Sequence, residues 1–325
     1  IVLLEPKILK TPAGELKVDS IEFYENGNIE SVYVSGINTI TSTVGELEIT
    51  NISFYKNGNI KSVNVSEINT ITSTVGELEI TNISFYESGK IKWCILSESK
   101  TLKATPVGEL NINSIGFYES EKIERCILSK PKTLKTPIGE LEVNEIRFYE
   151  NGRIQWVDLS LSKKFKTPIG ELEVENIGFY ENGDIQRCYL STPKSINTPV
   201  GKLNIELIEF YENGKIEWCR LSEPKTIKIP LGEMKVFSIG FYENGKIKMW
   251  NLFESKNIKT PVGELIVDSI DFYENGKISS IELFKSKIIK TPIGNRDIKF
   301  IGFYESGKIK VVGLVNEEHI QGKFF

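Results

Sequence analysis

Four cysteines are the residues best suited to metal or nucleophilic chemistry in this chain. They are Cys94, Cys126, Cys188 and Cys219, each nine residues after a repeated Phe. A zinc site needs ligands that converge on one point, and the sequence has no Cys-x-x-Cys pair. In neighbouring antiparallel units these positions would lie ~9.6 Å apart, beyond the roughly 7 Å limit for a disulfide. Because other units have Val or Ile here, we expect buried free thiols and no metal site.

Acid–base catalysis has few candidate residues. The one histidine, His319, lies in the last seven residues, so the repeats described below contain no Ser-His-Asp set. The many carboxylates recur as surface residues and do not form a convergent pair. We therefore expect a non-enzymatic protein without a cofactor. Buried thiols that never pair fit a reducing compartment, which favours a cytoplasmic location.

A stripe of large side chains lies one residue before the cysteine position in five successive units. These residues are Trp93, Arg125, Trp156, Arg187 and Trp218. Trp and Arg are enriched in interface hot spots, so the stripe could be a docking line for another protein or for a second copy of the chain. The alternative is packing, because four of the five precede Cys instead of Val, as if volume were exchanged locally. The sequence leaves both interpretations open.

A row of tyrosines offers a second kind of binding site. Each follows a repeated Phe: Tyr24, Tyr55, Tyr86, Tyr118, Tyr149, Tyr180, Tyr211, Tyr242, Tyr273 and Tyr304. Exposed rings in a row could stack on sugars or quaternary amines, which would make the protein lectin-like or a small-ligand binder. More often a Tyr in this place shields the turn and satisfies its hydroxyl at the surface.

The composition limits which classes of partner the chain can bind. The chain has 325 residues, a net charge of −4 and 40% hydrophobic residues. That composition disfavours disorder, and no apolar run approaches the roughly 18 residues of a membrane helix. An acidic chain with no evident basic stripe is a poor partner for nucleic acid. A protein partner or a second copy of the chain is left as the main expectation.

The elements that position these residues are repeats. Phe-Tyr occurs ten times at a spacing of 31 residues, except for one spacing of 32, and a Gly stands nine residues before each Phe. Residues 37–55 and 68–86 are identical, which points to duplication. Such periodicity is typical of arrays whose units bury apolar faces against neighbours. We expect one array of ten repeats over 1–315 and a non-repeat C-terminal tail over 316–325.

Each repeat reads as two β-strands joined by two turns. In the fifth repeat, apolar residues alternate with polar ones around Leu141 and Phe148, and the step from Val143 to Ile146 predicts a bend or bulge. Glu150-Asn151-Gly152 predicts a hairpin loop with a left-handed Gly, and Thr136-Pro-Ile-Gly139 predicts the second turn. Glu121 replaces the loop Gly once, and Thr43 and Thr74 replace the Pro. Ten such units indicate an all-β protein of about twenty strands.

The charges in the repeats indicate whether the strands run parallel or antiparallel. Glu follows Phe-Tyr in nine of the ten repeats, Lys56 being the exception. A parallel solenoid would stack these carboxylates ~4.8 Å apart, well within a Debye length. We therefore expect an elongated, coiled antiparallel meander, with a parallel β-solenoid or a closed propeller-like ring as the alternatives. The apolar face must be covered by coiling, ring closure or a partner.

One segment resembles a known family. Phe-Tyr-Glu-Asn-Gly-Lys-Ile, at 241–247 and 272–278, is similar to the hairpin core of MORN-type repeats, especially the variant in bacterial antitoxin-like proteins. The resemblance covers about a quarter of each unit, and the longer period and the Thr-Pro-Ile/Val-Gly-Glu-Leu half depart from it. It implies an elongated antiparallel sheet that serves as a scaffold or docking surface, and it transfers no catalytic residue.

Overall fold

The computed structural model describes residues 1–229, 232–291, 294–314 and 319–320. All regular structure in these ranges is β, as predicted, and they include no helix that could cross a membrane. Apart from 319–320, the predicted tail lies outside the described residues. The strands are β1 Val2–Thr11, β2 Gly14–Phe23, β3 Ile29–Ser42, β4 Gly45–Phe54, β5 Ile60–Ser73, β6 Gly76–Phe85, β7 Ile91–Thr105, β8 Gly108–Phe117, β9 Ile123–Thr136, β10 Gly139–Phe148, β11 Ile154–Thr167, β12 Gly170–Phe179, β13 Ile185–Thr198, β14 Gly201–Phe210, β15 Ile216–Ile229, β16 Gly232–Phe241, β17 Ile247–Thr260, β18 Gly263–Phe272, β19 Ile278–Thr291, β20 Gly294–Phe303, β21 Ile309–Leu314 and β22 His319–Ile320.

The chain forms two compact units. One comprises 1–161 with 181–183, and the other comprises 162–180 with 184–325. Within each unit, described strands pair antiparallel with their neighbours in the chain, as β10 does with β9 and β11. Among the residues that the structure describes, the first and last strands of a unit do not pair with each other, so each unit is an open sheet. The meander is therefore confirmed, and the parallel solenoid and the closed ring are wrong.

Every repeat bends at the predicted place. In β10 the register shifts between Val143 and Glu145, and in β13 it shifts between Tyr189 and Lys194. The bend divides each strand into two halves that pair differently. The C-terminal half of a short strand pairs with the long strands on both sides, whereas its N-terminal half pairs only with the long strand before it. We call the first region the sheet wall and the second the ribbon wall.

The ribbon wall consists of two-stranded ribbons that lie side by side, and in the described strands no β pairing joins one ribbon to the next. Lysines bridge neighbouring ribbons, since Lys194 Nζ donates to the Glu171 carbonyl at 2.5 Å and Lys225 Nζ donates to the Lys202 carbonyl at 2.6 Å. The ammonium groups thus satisfy backbone carbonyls that a continuous ladder would otherwise pair.

The hydrophobic core lies between the two walls. In the fifth repeat, Leu141 and Val143 come from the ribbon wall, and Ile146, Phe148 and Val157 come from the sheet wall. All five are at most 1% exposed. The apolar face is therefore covered by the other half of the same bent strands, which is the coiling that the sequence allowed.

Contacts between successive repeats close the gap between the walls. The turn of each repeat meets the hairpin loop of the next, in pairs such as Pro137 with Gly183 and Pro168 with Gly214. In the two repeats with Thr in place of Pro, the hydroxyl donates to a loop carbonyl: Thr43 to Gly89 at 2.6 Å and Thr74 to Glu121 at 3.0 Å. We call this line of contacts the seam.

The hairpin loops have the predicted left-handed residue. Gly152 has a φ of 82°, and its N–H donates to the Tyr149 carbonyl at 2.9 Å. Glu121 adopts the same conformation, with a φ of 67° and an N–H bond to Tyr118 at 2.8 Å. A side chain is costly in this region, so neighbouring repeats impose the loop even where no Gly is present.

Candidate docking surface

The predicted stripe lies on the outer face of the sheet wall. In the first unit, residues directly opposite one another across the strands form a row that runs Ser84, Trp93, Gly116, Arg125, Arg147 and Trp156. We call these equivalent positions the outer row. Trp93, Arg125 and Trp156 are half-buried there.

The ring of Trp93 covers a neighbouring glycine. A Cβ built on Gly116 would lie 2.9 Å from Cε3 of Trp93, so only Gly leaves room for the indole. The guanidinium of Arg125 lies 5.1 Å from the centroid of the same ring, a cation–π contact. The aromatic side chain therefore lies over adjacent strands and presents part of its surface to solvent.

Two arginines share one buried carboxylate at the centre of this row. Arg125 Nη2 donates to Glu145 Oε2 at 2.5 Å, and Arg147 Nε donates to Glu145 Oε1 at 2.8 Å. Glu145 is 7% exposed, and a carboxylate this buried requires such partners. The Arg125 and Arg147 side chains retain 33% and 42% exposure, so guanidinium surface stays available to a partner.

Trp156 ends the outer row of the first unit, and Asp158 lies two residues further along the same strand. Trp156 Nε1 donates to Asp158 Oδ1 at 2.6 Å, and Asp158 stands directly opposite Glu145. Burial raises the pKa of the Asp158 carboxyl, and the charge of Glu145 adds to the rise, while the hydrogen bond from Trp156 acts in the opposite direction.

The second unit has its own outer row. Arg187 lies opposite Gly178 and Glu209 and forms an ion pair with Glu209. Trp218 follows, opposite Glu209 and Gly240. The side chain that lies over Gly240 is that of Met249, with Trp218 Cδ1 at 3.5 Å from the position of a Cβ. The second unit therefore shares the paired arginine and the half-buried Trp, with Met in place of Trp over the glycine.

The outer row and the cysteines lie on opposite faces of the sheet. Cys94 is fully buried in the core, whereas Trp93 is on the solvent side. The stripe and the cysteine position therefore fill different spaces, one on the solvent side of the sheet and one in the core. From Ser31 to Ser84 the outer row holds serines, with Ser53 and Ser62 hydrogen bonded at 2.6 Å. The strands thus pair in the same way without Trp or Arg.

Several residues of the outer row escaped the sequence analysis. Arg147, Glu209 and the glycines at 116, 178 and 240 come from the short strands, one residue before the repeated Phe. The sequence did contain a signal for these residues, because the residue before the repeated Phe varies widely while the Phe-Tyr-Glu segment that follows is nearly constant. Only the antiparallel register shows that it lies opposite the stripe on the long strands.

The tyrosine row forms a ladder between repeats. Tyr118 donates its hydroxyl to the Phe148 carbonyl at 2.6 Å, and Tyr211 donates to Phe241 at 2.7 Å. Equivalent bonds link the residues Tyr24, Tyr55, Tyr86, Tyr180, Tyr242 and Tyr273 to the Phe of the next repeat. Each of these hydroxyls thus binds the backbone of the next repeat. Sugar binding through the ring faces stays a prediction.

The loop residues beside the tyrosines extend this ladder. Asn213 Nδ2 donates to the Glu243 carboxylate and Lys215 Nζ donates to the Glu243 carbonyl, both at 2.8 Å. The pattern recurs with Asn244, Lys246 and Glu274. The Phe-Tyr-Glu-Asn-Gly-Lys segment is therefore explained by contacts between one repeat and the next.

The four cysteines are buried free thiols, as predicted. Burial raises the pKa of each, Cys94, Cys126, Cys188 and Cys219, to about 12. A thiol with so high a pKa is almost entirely protonated near neutral pH, which makes it a poor nucleophile and a poor metal ligand.

Comparison with known proteins gives a local similarity. No curated protein matches the chain. Among solved structures, a chain of the GtfA/B complex bound to UDP and GlcNAc matches 30% of this chain at 8% identity and a TM-score of 0.13. A chain of the TcdB2-TccC3-Cdc42 structure matches 85% of it at 7% identity and a TM-score of 0.14. This chain covers 21% and 16% of those two chains. Residues 268–286, the hairpin between β18 and β19, match the MORN repeat variant.

Proposed function

We propose that the chain is a non-enzymatic repeat scaffold that binds another protein through the outer row. One observation carries the proposal: the same array forms its sheet wall with serine at these positions in the early repeats and with Trp and Arg in the middle ones. The strand pairing therefore does not require the large residues. A contact with a partner outside the fold accounts for the surface that they leave exposed.

The chemistry of the outer row suits a protein contact. Half-buried indoles and guanidiniums lose little further conformational entropy on binding, because Gly116 and Glu145 already hold them in place. Trp and Arg are also the side chains that most often carry binding energy at protein interfaces. The match of 268–286 to a MORN repeat variant is compatible with a scaffold role.

A partner other than a second copy is favoured by charge. In a twofold dimer centred on the first unit's outer row, Arg125 of one copy would face Arg147 of the other. Their shared carboxylate, Glu145, is buried beneath them and already engaged. Such a dimer would place like charges together at its centre, which is unfavourable.

Serine substitutions test the proposal with a residue that the array itself uses. We expect Trp93→Ser and Trp156→Ser to keep the melting temperature and to weaken association by about 1–3 kcal/mol each. Pull-down followed by titration with the recovered protein measures a different partner, and sedimentation velocity measures self-association. Tyr33→Ser, which removes an aromatic ring that is 52% exposed in the first repeats, is the control.

Two results would contradict the scaffold proposal. In the first, the serine variants melt early while association is unchanged, which would make the outer row a structural element. In the second, the wild-type chain is strictly monomeric and binds no protein, which would leave the row without a contact to make.

A further inference from the structure

The hairpin loops contain a chemically labile dipeptide. Asn-Gly occurs in them at Asn26, Asn57, Asn151, Asn182, Asn213, Asn244 and Asn275. Asn-Gly deamidates more readily than other Asn-containing pairs, because Gly has no side chain to hinder its nitrogen from attacking the Asn side-chain carbon. Each loop is therefore a potential modification site, and its rate depends on how the fold holds the two groups that react.

Two hydrogen bonds restrain the reacting groups in a typical loop. Gly214 N–H donates to the Tyr211 carbonyl at 2.8 Å, which occupies the attacking nitrogen. Lys215 N–H donates to Asn213 Oδ1 at 3.0 Å, which fixes the side-chain amide. The same two bonds are present at Asn26, so they do not distinguish that loop.

A third restraint comes from the next repeat. The Nδ2 atoms of Asn151, Asn213, Asn244 and Asn275 donate to the carboxylates of Glu181, Glu243, Glu274 and Glu305 at 2.8–3.1 Å. Besides holding the leaving nitrogen, this negative charge opposes deprotonation of the attacking Gly nitrogen. It also disfavours the product, which would place a new carboxylate beside an existing one.

The loop at Asn26 lacks this carboxylate. The equivalent position in the next repeat is Lys56, whereas Glu87 and Glu212 stand there for Asn57 and Asn182. Lys56 Nζ lies 6.0 Å from the centroid of the Tyr24 ring in the same ladder, and Asn26 is exposed. The electrostatic effect is therefore reversed, because a cation favours both the deprotonated nitrogen and a carboxylate product.

We propose that Asn26 is the site at which the array undergoes spontaneous deamidation, ahead of the carboxylate-held loops. The Gly27 nitrogen gives its proton to solvent base and bonds to Cγ of Asn26. Nδ2 takes a proton from solvent, the Cγ–Nδ2 bond breaks and ammonia leaves, which forms a five-membered succinimide. Water then adds to one of the two ring carbonyls and breaks its bond to nitrogen, which yields aspartate or isoaspartate. No oxidant or reductant is involved.

Ageing of the folded protein in mildly alkaline buffer, followed by peptide mass mapping, tests the proposal. Asn26 should convert about fivefold faster than Asn213, the ratio that one hydrogen bond of about 1 kcal/mol provides. Lys56→Glu should slow Asn26 to the rate of Asn213. In the reverse experiment, Glu243→Lys should accelerate Asn213, whose loop keeps its seam contact with Pro168.

Three outcomes would overturn the proposal. The first is conversion of Asn26 no faster than that of Asn213 in the folded protein. The second is a rate at Asn26 that Lys56→Glu leaves unchanged, or a rate at Asn213 that Glu243→Lys leaves unchanged. The third is persistence of the difference in denaturant, since local sequence alone would then explain it. Equal rates in the unfolded chain support the role of the next repeat.

Discussion

Gly89→Ala measures how strongly the seam stabilises the array. Gly89 has a φ of 84°, where an Ala side chain costs about 1–2 kcal/mol. Its Cβ would also lie 2.8 Å from Cγ2 of Thr43, and overpacking of this kind typically costs about 1–3 kcal/mol. We therefore expect the substitution to lower the free energy of unfolding by about 2–5 kcal/mol.

A matched control and a rescue separate the two costs. Gly27 has nearly the same φ, 85°, with no atom within 4 Å of its Cβ, so Gly27→Ala should cost only the backbone term of about 1–2 kcal/mol. Adding Thr43→Ser to Gly89→Ala removes the clashing methyl and keeps the hydroxyl that donates to the Gly89 carbonyl. The double variant should return to the cost of Gly27→Ala.

Urea unfolding and amide hydrogen exchange of residues 86–90 are the assays. Exchange is needed because an array of neighbour contacts can open locally without global unfolding. Equal destabilisation by Gly89→Ala and Gly27→Ala, with no rescue by Thr43→Ser, would show that the seam is not tightly packed at Thr43 and Gly89.

The remaining predictions concern single positions. Glu121→Gly should stabilise the chain by up to about 1 kcal/mol in urea unfolding, because it relieves a left-handed non-Gly residue, and a loss of stability would contradict this. Cys126→Val should be nearly neutral at pH 7. Above pH 9 the wild type should lose stability relative to this variant, because the unfolded chain releases the thiol proton first, and parallel pH profiles would refute the burial argument. Tyr118→Phe should cost about 0.5–1.5 kcal/mol by removing the bond to Phe148, with the exposed Tyr33→Phe as control.

Local chemistry made much of the repeat predictable. Gly152 and Pro137 fixed the two turns, and the three-residue step from Val143 to Ile146 located the bend. Val and Ile at positions equivalent to Cys126 predicted its burial. Each of these inferences depends on residues close together in the chain, where backbone geometry and alternation are sufficient.

The seam and the full outer row could not be obtained in that way. Thr43 contacts Gly89 across 46 residues, and three bent strands, β4, β5 and β6, lie between the two residues. Arg147 lies opposite Trp156 only in one antiparallel register. Pairing across strands is set by the whole sheet, so no single repeat contains the information.

The way in which each repeat holds the next also bears on how the gene can change in length. Tyr hydroxyls reach 30 residues ahead, and turns reach 46 ahead, so these contacts join each repeat to the following one. Recombination that adds or removes one unit then leaves the neighbouring contacts with equivalent partners. The segments 37–55 and 68–86, still identical, record such a copying event. The array also accommodates a unit of unequal length. In the 32-residue unit, Tyr86 still donates to the Phe117 carbonyl, 31 residues ahead. The extra residue lies at a register shift between Leu102 and Thr105 in β7.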